Sequence, residues 1–238
     1  MRCRHCAKNH QSTSRLYSVA REGIGGAVKL TKFEHACFTV EKDGAYIVVD
    51  LGNLTTDFIP PENVVAVIIT HSHPDHLDKE QLGELFEDNP AAVLIAPLEI
   101  TREFPHLDTR PSSHGDSFSL GGFDIDVYGR THATIYPNLE TPHNIGVLIE
   151  DRLFYPGDAL TIPDKSVDCL ALPIGAPWLK VSEAIDYMIA IGARLTFPTH
   201  DATLSADGKA IYDRLIQDYA EEATTTYKRL NGESLEIE

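Results

Sequence analysis

Six consecutive residues, His71-Ser72-His73-Pro74-Asp75-His76, carry three imidazoles and a carboxylate. These are the ligand types that hold zinc, iron or manganese. The run follows Val64-Val-Ala-Val-Ile-Ile-Thr70, a continuous β-branched stretch typical of a strand buried on both faces. Extended residues two apart point the same way, so His71 and His73 can share one metal. Pro74 breaks the strand and turns the chain, which sends Asp75 and His76 toward a second metal beside the first. A hydrogen-bonded histidine cluster is the bland alternative, and three histidines and an aspartate at this spacing argue against it.

The elements that must hold this run are legible around it. Asp78 reads as a helix N-cap with Gln81 at the capping-box position. Leu82, Leu85 and Phe86 form the apolar face, and Pro90 stops the helix. Upstream, Val28 to Phe33, Ala36 to Val40 and Ala45 to Asp50 read as short strands, with Asp43-Gly44 a hairpin turn. Downstream, strands are expected at Ala92 to Ala96, Phe118 to Leu120, Phe123 to Tyr128, Ile145 to Glu150, Arg152 to Tyr155 and Cys169 to Leu172. Gly121-Gly122 and Asp151 mark turns. Ser182 is expected to cap a helix carrying Ile185, Met188 and Ile189. Arg194 to Phe197 is expected as the last strand, and a C-terminal helix begins near Ser205.

The 238 residues suit one large α/β domain. Residues 1–27 lack any sustained period and read as a flexible N-terminal extension; 28–238 read as the folded domain that carries the His71 to His76 run. Cys3-x-x-Cys6 with His5 and His10 is half a zinc knuckle at best. Cys37 and Cys169 are isolated in apolar segments, so the four cysteines make no disulfide framework, and a reducing cytoplasm fits best. A net charge of −16 disfavours phosphate backbones and anionic lipid. No apolar run reaches roughly 18 residues, so no membrane span is expected. The expected partner is a small-molecule substrate, with no nucleic acid and no membrane; a homo-oligomer is left open.

His-x-His-x-Asp-His after an apolar strand resembles the signature of the metallo-β-lactamase superfamily. The likeness runs from about Val28 to Thr203. Phe33-Glu34-His35-Ala36 resembles the Gly-His-Ala/Ser turn of one subgroup, Tyr46 to Asp50 its following strand, Phe154-Tyr155-Pro156-Gly157-Asp158 its Gly-Asp strand end, and Phe197-Pro198-Thr199-His200 its final Pro-x-His. Together these look most like the branch of L-ascorbate-6-phosphate lactonase-like and other metal-dependent hydrolases. The resemblance implies a four-layer αββα sandwich. It implies a first metal on His71, His73 and His132, a second on Asp75, His76 and His200, and Asp158 bridging the two. His143 competes with His132 for its role. Glu34, Ala159 and Asp201 depart from the subgroup where Gly, Thr and an aromatic are usual, which bears on substrate more than on fold.

Two divalent ions, zinc first and manganese or iron next, would share one water and lower its pKa toward neutrality. The expected reaction is attack of that metal-bridging hydroxide on a small ester, lactone or phosphodiester. Asp75 is expected to orient the nucleophile or accept its proton, and His143 to contact substrate or an oxyanion. Asp50 is the candidate acceptor for the far N–H of a ligating histidine, and His35 is expected at the rim. Trp178 lines the pocket or packs a loop, packing being the plainer reading; His106 and His114 have no assigned role. The alternative is an iron-dependent oxidoreductase or thiol dioxygenase on the same fold. Diiron members of the superfamily commonly carry Glu at the position of His73, which favours hydrolysis here.

Overall fold

The computed structural model describes residues 27–56, 58–230 and 232–238. The N-terminal extension, with its Cys3-x-x-Cys6 motif, lies outside these residues but for Ala27. In chain order the elements are β1 (Val28–Lys32), β2 (Phe38–Lys42), β3 (Ala45–Val49), β4 (Val64–Ile68), α1 (Lys79–Asp88), β5 (Val93–Ala96), α2 (Leu98–Thr101), β6 (Thr109–Pro111), β7 (Ser117–Leu120), β8 (Phe123–Tyr128), β9 (Gly146–Ile149), β10 (Leu153–Tyr155), β11 (Cys169–Pro173), α3 (Val181–Ile191), β12 (Leu195–Thr199), α4 (Ala206–Glu222), β13 (Thr226–Tyr227) and β14 (Ser234–Ile237).

They form two seven-stranded sheets, ordered β14-β1-β2-β3-β4-β5-β6 and β13-β12-β11-β10-β9-β8-β7. Each sheet is mixed. β3 to β6 run parallel in the first and β10 to β13 in the second, and the remaining pairs are antiparallel. Side-chain alternation sorts each strand into two apolar layers. In β4, Ala66 and Ile68 face the other sheet, where Ile125, Val147 and Tyr155 meet them. Val67 and Ile69 turn outward to Leu82, Leu85 and Phe86 of α1. On the far side, Leu148, Leu170 and Leu172 pack under Ala184 and Met188 of α3 and Ile216 of α4. Three apolar layers between helix, sheet, sheet and helix make the αββα sandwich.

Tight turns close the hairpins. Asp43-Gly44 joins β2 to β3 with both residues at positive φ (52° and 78°), as a type I′ turn demands. Glu150-Asp151 does the same between β9 and β10.

Some expectations need correction. Lys180, not Ser182, caps α3: its backbone N–H donates to Glu183 Oε2 at 2.9 Å. Asp78 does cap α1, accepting from the N–H groups of Glu80 and Gln81, but the Gln81 side chain donates to the Gly52 carbonyl instead of closing a box. β12 is not the last strand. β14 returns to pair antiparallel with β1, a short edge strand whose alternation spans too few residues to stand out.

Candidate metal centre

Segments leaving the C-terminal ends of β3, β4, β8, β10 and β12 meet at one edge of the sandwich. β4 continues its pairing one residue further, with Ile69 N–H on Ile95 O, and then delivers Thr70, His71 and His73. The chain turns at Pro74, where His76 N–H and Leu77 N–H both donate to His73 O at 3.0 and 2.9 Å. The segment after β3 clamps this turn: Asn53 N–H reaches Pro74 O and Asp78 N–H reaches Leu51 O, both at 2.8 Å. Gly52 permits the clamp, because a Cβ there would lie 1.9 Å from the Asp75 carbonyl oxygen.

Two clusters result. His71, His73, His132 and Asp158 bring ligand atoms within 4.8 Å of one another, and so do His35, Asp75, His76 and His200. Asp158 joins them. Its Oδ2 is 3.2 Å from His132 Nε2 and 3.0 Å from His200 Nε2, and its Oδ1 is 3.2 Å from His76 Nε2. His200 Nε2 is also 3.3 Å from Asp75 Oδ2. His71, His76, His132, His200 and Asp158 are all buried.

The donor set fits cations. His76 donates from Nδ1 to Asp50 Oδ2 at 2.7 Å, His200 from Nδ1 to Gly175 O at 2.8 Å, and His132 from Nδ1 to Ala133 O at 2.5 Å. His71 Nδ1 lies 3.1 Å from Thr70 Oγ1, whose own proton goes to Asp50 Oδ2. Each tether spends the Nδ1 proton on an outer acceptor and turns Nε2 inward, the atom a metal-binding histidine offers. His73 uses its other nitrogen, with Nδ1 3.0 Å from His71 Nε2. Among the described residues, His76 Nε2 and Asp158 Oδ1 are buried without an aligned hydrogen bond, although they lie 3.2 Å from each other, a costly state for polar atoms unless an ion completes it.

Charge is concentrated here. Burial alone would raise the Asp158 carboxyl, but the imidazoles of His76 and His200 hold it well below the usual range. Burial works against a charged His76, and Asp158 and Asp50 overcome it, so this imidazole is held well above its ordinary value. His200 is likewise pushed up to about 9, chiefly by Asp158 against its own burial. His71 and His73 go down, by burial first and then by neighbouring imidazoles. Protons and any divalent cation would therefore compete for the same inward lone pairs.

The structure thus brings together His71, His73, Asp75, His76, His132, Asp158 and His200. His143 stands apart from both clusters: its side chain is 69% exposed and its Nδ1 pairs with Glu99 Oε1 at 2.9 Å. Its backbone bridges Thr131, beside His132. Asp50 takes the outer-acceptor position expected of it. His35 is not at the rim but fully buried, with Nε2 3.0 Å from Asp75 Oδ2. Trp178 does more than pack. Its indole N–H donates to Asp158 Oδ2 at 2.9 Å, and its ring lies 5.8 Å from His132 and 6.5 Å from His200. Pro177-Trp178-Leu179 carries no local pattern that announces this contact. His106 and His114 lie in neither cluster.

Comparison with known proteins agrees with this geometry. The family model described as a β-lactamase superfamily domain matches residues 29–200. Protein Rv0786c of Mycobacterium tuberculosis is 36% identical over 212 residues, covering 87% of this chain and 98% of that protein. A UPF0173 metal-dependent hydrolase of Flavobacterium johnsoniae is 28% identical, covering 66% of this chain and 77% of its own. Among solved structures, Igni18, a metallo hydrolase of the archaeon Ignicoccus hospitalis, superposes with a TM-score of 0.69 at 18% identity, over 90% of this chain and 99% of that one. CmlA, a diiron β-hydroxylase from Streptomyces venezuelae, gives 0.67 at 15% identity, over 90% of this chain and 54% of its own. Such identities show a shared fold and leave the chemistry of each protein its own. With the family model spanning well over half its length, and a sandwich whose edge gathers the His-x-His-x-Asp-His ligands, the chain belongs to the metallo-β-lactamase superfamily.

Proposed function

We propose that the chain is a metal-dependent hydrolase that works with two divalent ions, zinc in the first instance, on a small ester, lactone or phosphodiester. The observation that carries this reading is the buried pair His76 Nε2 and Asp158 Oδ1, 3.2 Å apart without an aligned hydrogen bond to each other or to any other described residue, set where the two ligand clusters meet. The relatives named metal-dependent hydrolases support it. His71, His73 and His132 would hold one ion, Asp75, His76 and His200 the other, and Asp158 both. Bound there, such ions supply Lewis acidity and a water made acidic enough to serve as nucleophile near neutral pH.

The chain's own groups divide the remaining work. Asp75 keeps 26% of its side chain exposed, against 3% for Asp158. In this reading it meets the incoming water and accepts or directs its proton. His143 lines a cleft of about 550 Å³ shared with Leu98, Pro111, Arg130 and Ile145. The cleft would receive the body of the substrate, with His143 contacting it outside the ligand shell.

Elemental analysis of the purified protein, coupled to a screen of lactones, phosphodiesters and thioesters, tests the proposal. The expected result is close to two transition metals per chain and turnover that His71→Ala and Asp158→Ala abolish while the protein stays folded. A metal-free protein at neutral pH would overturn it. Oxygen uptake with an iron-loaded chain, in place of hydrolysis, would move the assignment to an oxidoreductase.

A further inference from the structure

By distance alone His35 belongs to the second cluster, since a ring nitrogen lies within 4.8 Å of the ligand atoms of Asp75, His76 and His200. Its hydrogen bonds say otherwise. The backbone N–H of Ala202 donates to His35 Nδ1 at 3.2 Å. Nδ1 must therefore present a lone pair, and a neutral imidazole carries its proton on Nε2. That N–H points at Asp75 Oδ2, 3.0 Å away. His71, His76, His132 and His200 show the opposite pattern, with Nδ1 donating outward and Nε2 turned inward. To ligate through Nε2, His35 would have to become an imidazolate or abandon the Ala202 bond.

We infer that His35 is not a metal ligand but a positioning residue, a tautomer-locked donor that fixes Asp75 Oδ2 for an ion held by Asp75, His76, His200 and Asp158. The fold secures the lock from several directions. His35 sits at φ 52°, a left-handed conformation that a residue with a Cβ adopts rarely. Its carbonyl accepts from Lys32 Nζ at 2.7 Å and from His200 N–H at 3.0 Å. Its ring lies 4.1 Å from the ring of His200. The segment that carries the ligand His200 thus also dictates, through Ala202, which His35 nitrogen bears the proton. Asp75 Oδ2 is then approached by the Nε2–H of His35 and by Nε2 of His200 at 3.3 Å, the atom from which an ion would displace the proton. The donor takes one carboxylate lone pair and leaves another for a cation.

The inference rests on the metal-centre reading, but its first test does not need metal. Long-range ¹H–¹⁵N correlation of the imidazole rings, with and without zinc, should show His35 protonated at Nε2 and bare at Nδ1 in both states. A zinc-loaded chain with His35 protonated at Nδ1 would overturn the inference. Zinc stoichiometry and affinity of His35→Gln, His35→Ala and His200→Ala supply the second test. Glutamine retains a donor near the Nε2 position and should keep two zinc ions per chain, with second-site affinity within about tenfold of the wild type. Alanine should lose about 10–100-fold, the usual cost of removing an outer-shell partner. Loss of one zinc by His35→Gln, as complete as that in His200→Ala, would make His35 a ligand. A wild-type chain that bound no zinc would fail the proposed function, and the metal-free ring signals would still decide the tautomer.

Discussion

His76 Nδ1 lies 2.7 Å from Asp50 Oδ2, both side chains fully enclosed. This contact joins the end of β3 to the turn beyond β4 and points the opposite nitrogen of His76 at Asp158. Asp50 also accepts from Thr70 N–H at 2.8 Å, Thr70 Oγ1 at 2.7 Å and Tyr155 Oη at 2.9 Å. Through Thr70 it reaches His71, so one carboxylate orients a ligand in each cluster.

Asp50→Asn should therefore weaken both sites. An amide turns one acceptor oxygen into a donor and faces the N–H of His76 with another N–H. Chelator competition should read a metal-affinity loss of about 10–100-fold. An affinity unchanged from wild type would remove Asp50 from the orienting role.

Gly52→Ala should damage the second site from behind. The new Cβ would fall 1.9 Å from Asp75 O and 2.5 Å from His76 N, so the turn that carries both ligands must move. Overpacking of this kind costs about 1–3 kcal/mol, sometimes more. Urea unfolding should show that loss, and elemental analysis should find the second metal depleted. Full metal content with unchanged stability would contradict the clamp.

Trp178 is the chain's single tryptophan, and its N–H donates to Asp158, the carboxylate that the proposed function gives to both ions. Its emission should change as zinc is added, drop strongly with paramagnetic cobalt and return on chelation. The titration should end at the stoichiometry found by elemental analysis, and Trp178→Phe should abolish the signal. An emission indifferent to metal that is demonstrably bound would separate Trp178 from the centre.

Lys32 is buried and donates to the carbonyls of Phe33 and His35. Burial pushes its ammonium down to about 8 from an ordinary 10.5, with Asp201 offsetting part of the effect. Below pH 8 the group is charged in both states and the folded chain bears the whole burial cost. Between about 8 and 10.5 the folded chain has released a proton that the unfolded chain retains, so stability rises with pH. The rise over that window is about 3 kcal/mol. Urea unfolding of wild type against Lys32→Met should show the difference shifting toward the wild type by that order as pH increases. A pH-independent difference would mean the ammonium stays charged in the fold.

Much of this protein was legible before folding. The β-branched run before His71 became β4, Asp78 capped α1, and Asp43-Gly44 closed a hairpin, because each depends on residues a few positions apart. The edge strand β14 and the short β6 and β13 were not, since two to four residues are too few to display a period. Capping of α3 was misplaced by two residues because Ser182 is the better side-chain acceptor, whereas the observed cap uses the Lys180 backbone and Glu183.

The sequence by itself determined the chemistry on offer: a dense set of imidazole and carboxylate ligands at the end of a buried strand, with Asp158 and His200 further along at the ends of others. What only the tertiary structure decided is how each ligand is protonated and aimed. His35 meets Ala202 across 167 positions, and Tyr155 meets Asp50 across 105. A histidine's tautomer is set by whatever donor or acceptor packs against its far nitrogen, and no local pattern records a partner that arrives only when two sheets close on each other.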